Sequence, residues 1–201
     1  MTVMEAPRSK KKASKRYVPP KQGEWTYEDY ARLPDNGVRY EIIGGELYMS
    51  PAPRTKHQIA SYELGFAFGL FVKRHKLGRI LVAPIDVRLP DLADPVQPDI
   101  VFILKARLHI IKEKSIEGAP DLIVEILSPG TEGYDRRTKF QLYARAGVKE
   151  YWMVDPDTCT MEIYVLRGEA YALLGSFGPD DEAYSEVLAG FSVPVSEICI
   201  S

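Results

Sequence analysis

Residues 121–129 read Asp-Leu-Ile-Val-Glu-Ile-Leu-Ser-Pro, and this stretch decides the fold. The apolar run from Asp121 to Leu127 predicts a buried β-strand, and the Ser-Pro-Gly-Thr sequence at 128–131 turns the chain out of it. One carboxylate, Glu125, interrupts the run. Burying a carboxylate is costly unless it is paired or binds a cation, so Glu125 is a candidate functional residue. An ion pair with a neighbouring lysine or arginine is the alternative.

A second apolar strand lies earlier in the chain. Residues 99–104 contain Ile-Val-Phe-Ile, follow Gln97-Pro98 and begin with Asp99. If the two strands are neighbours, Asp99 and Glu125 converge at one end of the sheet, because strand geometry fixes the direction of each side chain. Two such acids make a hard, oxygen-rich site suited to Mg²⁺ or Mn²⁺. The alternative for Asp99 is a residue that caps a turn at the start of a strand.

A third acid lies in a predicted hairpin. Its arms are Arg39–Ile43 and Glu46–Met49, separated by Gly44-Gly45. Glu41 lies among β-formers in the first arm. It is a candidate metal ligand, although strand alternation also allows an exposed position for it.

A long helix is predicted from about Thr55 to Leu77, ending at Gly78. One apolar row on it, at spacings of three and four, contains Ile59, Tyr62, Phe66 and Leu70, and a second row beside it contains Ala60, Leu64, Ala67 and Phe71. His57, at the start of this helix, is interpreted as a cap or packing residue, with substrate contact as the alternative.

A second helix is predicted from about Tyr134 to Ala146. Asp135, Lys139 and Tyr143 are four residues apart and share one face of it. Lys139 could reach a phosphate oxygen beside a metal, or could simply pair with Asp135 at the surface. Tyr143 is interpreted as a core residue.

The remaining strands complete a mixed α/β fold, with helices on a central sheet. Pro84 lies inside one of them and indicates an edge or a bulge. The segments concerned are 80–89, 150–154, a hairpin of 160–166 with 170–174, and a short strand at 185–188.

The composition excludes two classes of protein. With 201 residues, 45% hydrophobic, the chain is not fully disordered, and it has no apolar run long enough to span a membrane. The net charge of −2 divides unevenly, because residues 1–22 hold seven basic residues and one acid. We therefore expect a basic, disordered tail at 1–22, either solvated or bound to nucleic acid, and one domain at 23–201.

The cysteines carry no motif. Cys159 and Cys199 are the two in the chain, and their spacing fits neither a zinc site nor a disulfide framework. We therefore expect reduced cysteines and a cytoplasmic protein.

Several segments together resemble the Uma-two family of putative restriction-endonuclease-like proteins, a branch of the PD-(D/E)XK nuclease superfamily. The resemblance extends over roughly residues 24–195. Its most specific parts are Val-Glu-Ile-Leu-Ser-Pro at 124–129 and Glu-Tyr-Trp-Met-Val-Asp-Pro at 150–156. The other matching segments are 40–46, 97–101, 121–123, 139–143 and 147–149.

The resemblance implies a restriction-endonuclease-like α/β fold and metal-dependent hydrolysis of DNA. Asp99 and Glu125 take the places of the two motif acids, and Glu41 matches the upstream acid. Leu127 stands where the motif has a lysine, and Lys139 on the following helix is the matching cation.

The implied mechanism uses Mg²⁺ (or Mn²⁺) held by Asp99 and Glu125, with Glu41 and the carbonyl of Ile126 as further ligands. The ion lowers the pKa of a bound water and polarises the phosphate, while Lys139 orients the water or stabilises the developing charge. Glu41 completes the metal shell or orders a metal-bound water.

Two rival functions remain open. The missing lysine at 127 and the net charge of −8 on residues 23–201 are compatible with a catalytically inactive, nucleic-acid-binding or assembly module of the same fold. A metal-dependent hydrolase of small phosphoesters is the third reading. A homodimer is also expected, because nucleases that cut both strands often pair two sites, and residues 160–174 offer one surface for it.

Overall fold

The computed structural model describes residues 17–199. Most of the predicted basic tail, residues 1–16, lies outside these residues. In the described part of that segment, Tyr17 donates a hydrogen bond to Asp29, and Gln22 exchanges hydrogen bonds with the backbone of Leu47.

Three sheets organise the described residues. One has six strands in the order β11-β10-β9-β8-β6-β3, a second has five in the order β2-β1-β5-β4-β7, and β12 pairs with β13. In chain order the strands are β1 (Arg39–Ile43), β2 (Glu46–Ser50), β3 (Gly78–Val82), β4 (Asp86–Leu89), β5 (Ala93–Val96), β6 (Ile100–Leu104), β7 (Ser115–Glu117), β8 (Leu122–Ile126), β9 (Glu150–Asp155), β10 (Thr160–Arg167), β11 (Ala170–Phe177), β12 (Glu182–Tyr184) and β13 (Ser192–Pro194).

The helices cover the sheets on both sides. The α-helices are α1 (Tyr27–Tyr30), α2 (Thr55–His75), α3 (Glu132–Tyr134) and α4 (Phe140–Ala146), and a π-helical turn, Asp135–Lys139, joins α3 to α4. Short 3₁₀ helices cover Lys105–Ile110 and Val195–Glu197.

The predicted fold class is confirmed: helices and further strands flank a mixed central sheet. Alternate residues of β8 face opposite layers, as strand geometry requires. Val124 packs in the cluster that α2 and β13 build on one face, whereas Ile123 packs in the cluster that the five-stranded sheet and α4 build on the other. The central sheet is therefore the middle layer of three.

Two apolar rows of α2 were predicted to form its apolar face, and one of them does not face the core. Tyr62, Phe66 and Leu70 are more than half exposed, whereas the neighbouring row is fully buried at Ala60 and Leu64 and partly buried at Ala67 and Phe71. The apolar surface of this helix is broad, and periodicity alone does not say which row meets the sheet.

The helix also ends earlier than predicted. Lys76, with a φ of 55°, forms the left-handed cap that was expected at Gly78. Gly78 instead begins β3, where an added Cβ would overlap the backbone carbonyl of Ile103 on β6.

Replacing Gly78 with alanine is expected to destabilise the fold by about 1–3 kcal/mol, because a Cβ there overlaps the carbonyl oxygen of Ile103. Chemical denaturation measures this change. Gly69→Ala is the matched control: no atom lies within 4 Å of its Cβ position on α2, so the same substitution should stabilise by up to about 1 kcal/mol. Equal effects at the two positions would contradict this description of β3.

The single strand predicted at 80–89 is two strands in two sheets. β3 is one edge strand of the six-stranded sheet and β4 belongs to the five-stranded sheet, with Pro84 between them. Proline has no N–H to donate to a ladder, so the chain leaves one sheet there and enters the other. The short strands β5 and β7 were not predicted.

The expectation of reduced cysteines is also wrong in this structure. Cys159, in the turn after β9, and Cys199 form a disulfide, with their Cα atoms 5.7 Å apart. They are 40 residues apart in sequence, and only the return of the C-terminal segment to this turn brings them together. That segment contains β12 and β13 in place of the strand predicted at 185–188.

Among residues 17–199, no helix is long and apolar enough to cross a membrane.

Candidate active site

The site lies where the chain crosses from one sheet to the other. β5 ends in the five-stranded sheet at Val96, and β6 begins in the six-stranded sheet at Ile100. The linking residues include Asp99. The backbone amide of Gln97, in the same link, donates a 2.7 Å hydrogen bond to Glu41 Oε1. Glu41 on β1 is thereby fixed beside the start of β6.

Asp99 is buried and fully engaged by its neighbours. Its Oδ1 accepts a 2.7 Å hydrogen bond from Arg39 Nη1, and its Oδ2 accepts one of 2.9 Å from the Ile126 amide. His57 Nε2 lies 3.1 Å from the same Oδ2. Because β6 and β8 are adjacent and antiparallel, Asp99 comes next to the end of the strand that bears Glu125.

Glu125 is the centre of a second buried group. Its Oε1 accepts a 2.6 Å hydrogen bond from the hydroxyl of Tyr143 and lies 3.0 Å from Lys139 Nζ. Lys139 is also 3.0 Å from Glu41 Oε1 and 3.5 Å from Asp135 Oδ1. One ammonium group therefore contacts three carboxylates.

The π-helical turn explains how Asp135 and Lys139 both point inward. The predicted helix from Tyr134 to Ala146 is present, but its first turns widen between Asp135 and Lys139, and both of these residues are buried. Single π-turns inside α-helices are frequent at functional sites. The shared face predicted for Asp135, Lys139 and Tyr143 is confirmed, because Lys139 contacts both Asp135 and Glu125, and Tyr143 contacts Glu125.

Burial sets the electrostatics of the group. Burial raises the pKa of Glu125 well above its usual range despite Lys139, and nearby Asp135, Asp99 and Glu41 raise it further. Burial likewise raises the pKa of Asp135 to about 6. Burial opposes ionisation of Asp99 too, but His57, Arg39 and the Ile126 amide lower its pKa to about 2.

These residues line one cavity of about 310 Å³. Ser50 at the end of β2 and residues 51–54 after it line one part of the cavity. The end of β8 and the turn after it line another part. Glu41, Asp99 and Glu125 are each 2–3% exposed. All four predicted catalytic residues, Glu41, Asp99, Glu125 and Lys139, line this cavity.

The donor set fits a divalent cation by its chemistry and its charge. Four carboxyl groups, those of Glu41, Asp99, Glu125 and Asp135, face Arg39 and Lys139, so this group has two excess negative charges when every carboxyl is ionised and His57 is counted as neutral. Arg54 also lines the cavity, but it pairs with Asp157. This excess negative charge adds to burial, which is the larger cause of the raised pKa values of Glu125 and Asp135. A hard dication bound by carboxylate oxygens would offset it.

The three carboxylates that were predicted to bind one metal ion, those of Glu41, Asp99 and Glu125, are not arranged around a common point. Within residues 17–199, no three His, Cys, Asp or Glu side chains are placed to hold one ion. Lys139 lies between Glu41 and Glu125, whereas Asp99 is turned toward Arg39 and His57. The Ile126 amide faces Asp99, and the N–H and C=O of a strand residue point to the same side, so its carbonyl faces this region too.

Sequence reasoning missed two residues of the site. Arg39 received no role, although it lies two residues before Glu41 and so shares its face of β1. His57 was interpreted as a cap or packing residue, yet it contacts Asp99, and its buried Nδ1 has no hydrogen-bond partner among the described residues. Tyr143 is a core residue as predicted, and its hydroxyl also holds Glu125.

Comparison with known proteins agrees with this architecture. A crystal structure of a putative nuclease belonging to DUF820, from Anabaena variabilis, superposes with a TM-score of 0.71 at 22% identity, covering 86% of this chain and 96% of that one. An uncharacterized protein of Synechocystis, slr1290, is 26% identical over 129 residues, or 63% of this chain and 65% of that protein.

The family comparison covers most of the chain. The model of the Uma2 (Uma-two) family, described as putative restriction endonuclease, matches residues 27–196. That range contains all three sheets and every residue of the candidate site. The chain is therefore a member of the Uma2 family.

Proposed function

We propose that this protein is a divalent-metal-dependent endonuclease that hydrolyses phosphodiester bonds of DNA. The observation that carries the proposal is the convergence of Glu41, Asp99, Glu125 and Lys139 on one cavity, from two sheets and one helix. Membership of a family described as putative restriction endonuclease supports it.

Asp99, Glu125 and the Ile126 carbonyl would hold Mg²⁺ or Mn²⁺, which when bound supplies an activated water and a Lewis acid for the phosphate. Glu41 would order a water beside the ion, since it is already held by the Gln97 amide and Lys139. Lys139 would keep the carboxylates ionised and oriented, because its ammonium group contacts three of them.

A catalytically inactive nucleic-acid-binding module is the second candidate. One observation favours it: both oxygens of Asp99 are already engaged by protein donors. Such a module would bind DNA in a salt-dependent manner and would keep that binding in Asp99→Ala.

Nicking of supercoiled plasmid tests the main proposal. The purified full chain should convert plasmid to open circles in Mg²⁺ or Mn²⁺ and should stop when EDTA is added. Salt-dependent DNA binding without nicking in either metal would reject the enzyme and support the inactive module.

One further proposal concerns the assembly of the enzyme. β11 is one of the two edge strands of the six-stranded sheet and exposes Leu173, so we propose this edge as the homodimer contact. A cytoplasmic location stays a prediction.

A further inference from the structure

The cation that replaces the missing motif lysine should be able to touch a phosphate. An ammonium group has three N–H donors, and Lys139 directs its Nζ at three carboxylates, those of Glu41, Glu125 and Asp135. Lys139 is only 4% exposed. A phosphate oxygen would have to displace one of these carboxylates to reach it.

Arg39 meets the requirement better. A guanidinium has five N–H donors in a planar fork, and among the described residues Arg39 makes one hydrogen bond, from Nη1 to Asp99. Its side chain is 23% exposed and lines the same cavity. Arginine binds phosphate through two parallel hydrogen bonds, so the remaining donors suit a phosphodiester.

The surroundings of Arg39 also suit a nucleic-acid strand. A second cavity, of about 580 Å³, adjoins the first, and the two share Arg39, Pro53 and Gln97. Tyr30 and Tyr40 are among the residues that line this second cavity. A phosphodiester links two nucleosides, so a phosphate at Arg39 would leave the adjoining nucleoside in a space lined partly by aromatic rings, on which bases stack.

We propose that Arg39 is the residue that contacts the scissile phosphate, in place of the lysine absent at Leu127, and that the second cavity takes the adjoining nucleoside. This inference rests on the proposed nuclease function. The sequence predicts that Lys139 orients the water or stabilises the developing charge. In this proposal Lys139 organises the carboxylates, and Arg39 stabilises the charge that develops on the phosphate.

The test compares single-turnover nicking in Mg²⁺ with binding of a short duplex in Ca²⁺. Arg39→Gln should lower the nicking rate by about 10²–10³-fold, because it removes a donor used most strongly in the transition state. Its duplex affinity should fall by less than about tenfold, since one phosphate contact contributes modestly to binding. Arg39→Lys should recover part of the rate, since lysine keeps the charge and lacks the fork.

Arg74→Gln is the matched control. It removes the same charge from an exposed arginine in the last turn of α2, outside both cavities, and should leave the nicking rate unchanged. Nicking by Arg39→Gln within threefold of wild type would overturn the assignment of Arg39, while wild-type nicking would leave the nuclease proposal intact.

A second measurement covers the case in which the wild type does not cleave and the nuclease proposal itself fails. Phenylglyoxal modifies accessible arginines, and mass spectrometry reports each site. Inorganic phosphate should protect Arg39 and leave Arg74 reactive. Equal modification of Arg39 with and without phosphate would overturn the phosphate contact independently of any activity.

Discussion

Asp99→Asn and Glu125→Gln are each expected to reduce metal-dependent nicking by about 10³-fold or more. Each substitution keeps the shape of the side chain and removes a charge that would hold the metal ion, together with the activated water that the ion supplies. The measurement is the initial nicking rate of each purified variant in Mg²⁺ and in Mn²⁺. A correctly folded variant that retains more than a tenth of the wild-type rate would show that the cleavage comes from a contaminant or from another site.

The matched control for these variants is Asp121→Asn. Asp121 is also a fully buried carboxylate, but it lies outside the cavity, where it accepts hydrogen bonds from the Leu104 amide and Lys149. Its loss should lower the free energy of unfolding by about 1–3 kcal/mol and leave the nicking rate per folded molecule unchanged. Loss of nicking in this variant would mean that any buried charge change disables the protein.

Lys139→Met is expected to lower the free energy of unfolding by about 3–5 kcal/mol. It leaves Glu41, Glu125 and Asp135 buried without their shared cation, and breaking a buried pair by removing one partner has a cost of this size. Urea denaturation of the folded variant measures the change. Lys56→Met is the matched control, because Lys56 pairs with Asp157 at the surface and should contribute no more than about 1 kcal/mol.

The loss of unfolding free energy in Lys139→Met should become smaller as the pH falls. Burial raises the pKa of Glu125 and brings that of Asp135 to about 6, so the folded state takes up protons before the unfolded state does. Stability of the variant should therefore recover as the pH falls from 7 to 5. A deficit below 1 kcal/mol at every pH in this range would contradict the role given to Lys139.

The acids of the site could be predicted because they break strong local patterns. Glu125 interrupts a buried strand and Asp99 begins another, so burial and strand direction were enough to bring them together. Lys139 and Tyr143 followed from helical spacing. The contacts around Lys139 could not be predicted, because they join β1, β8 and the π-helical turn, which are far apart in sequence.

The rest of the site depends on how the two sheets meet. Arg39 and His57 reach Asp99 because the link before β6 crosses between sheets, and no local pattern specifies that crossing. The same limit explains the exposed row on α2: two adjacent apolar rows satisfy the helical period equally well. Phe66 is exposed and Leu64 buried only because the sheet lies on one side.

A crystal of the full chain soaked in Mn²⁺ tests the proposed site most directly. We expect an anomalous peak bound by carboxylate oxygens of Asp99 and Glu125, with the Ile126 carbonyl completing the protein ligands and Glu41 beside it. Ligand distances should be about 2.0–2.2 Å, as for small hard dications in oxygen sites. A cavity without a peak at Mn²⁺ concentrations that support nicking, or a peak bound elsewhere on the chain, would contradict the proposed metal site.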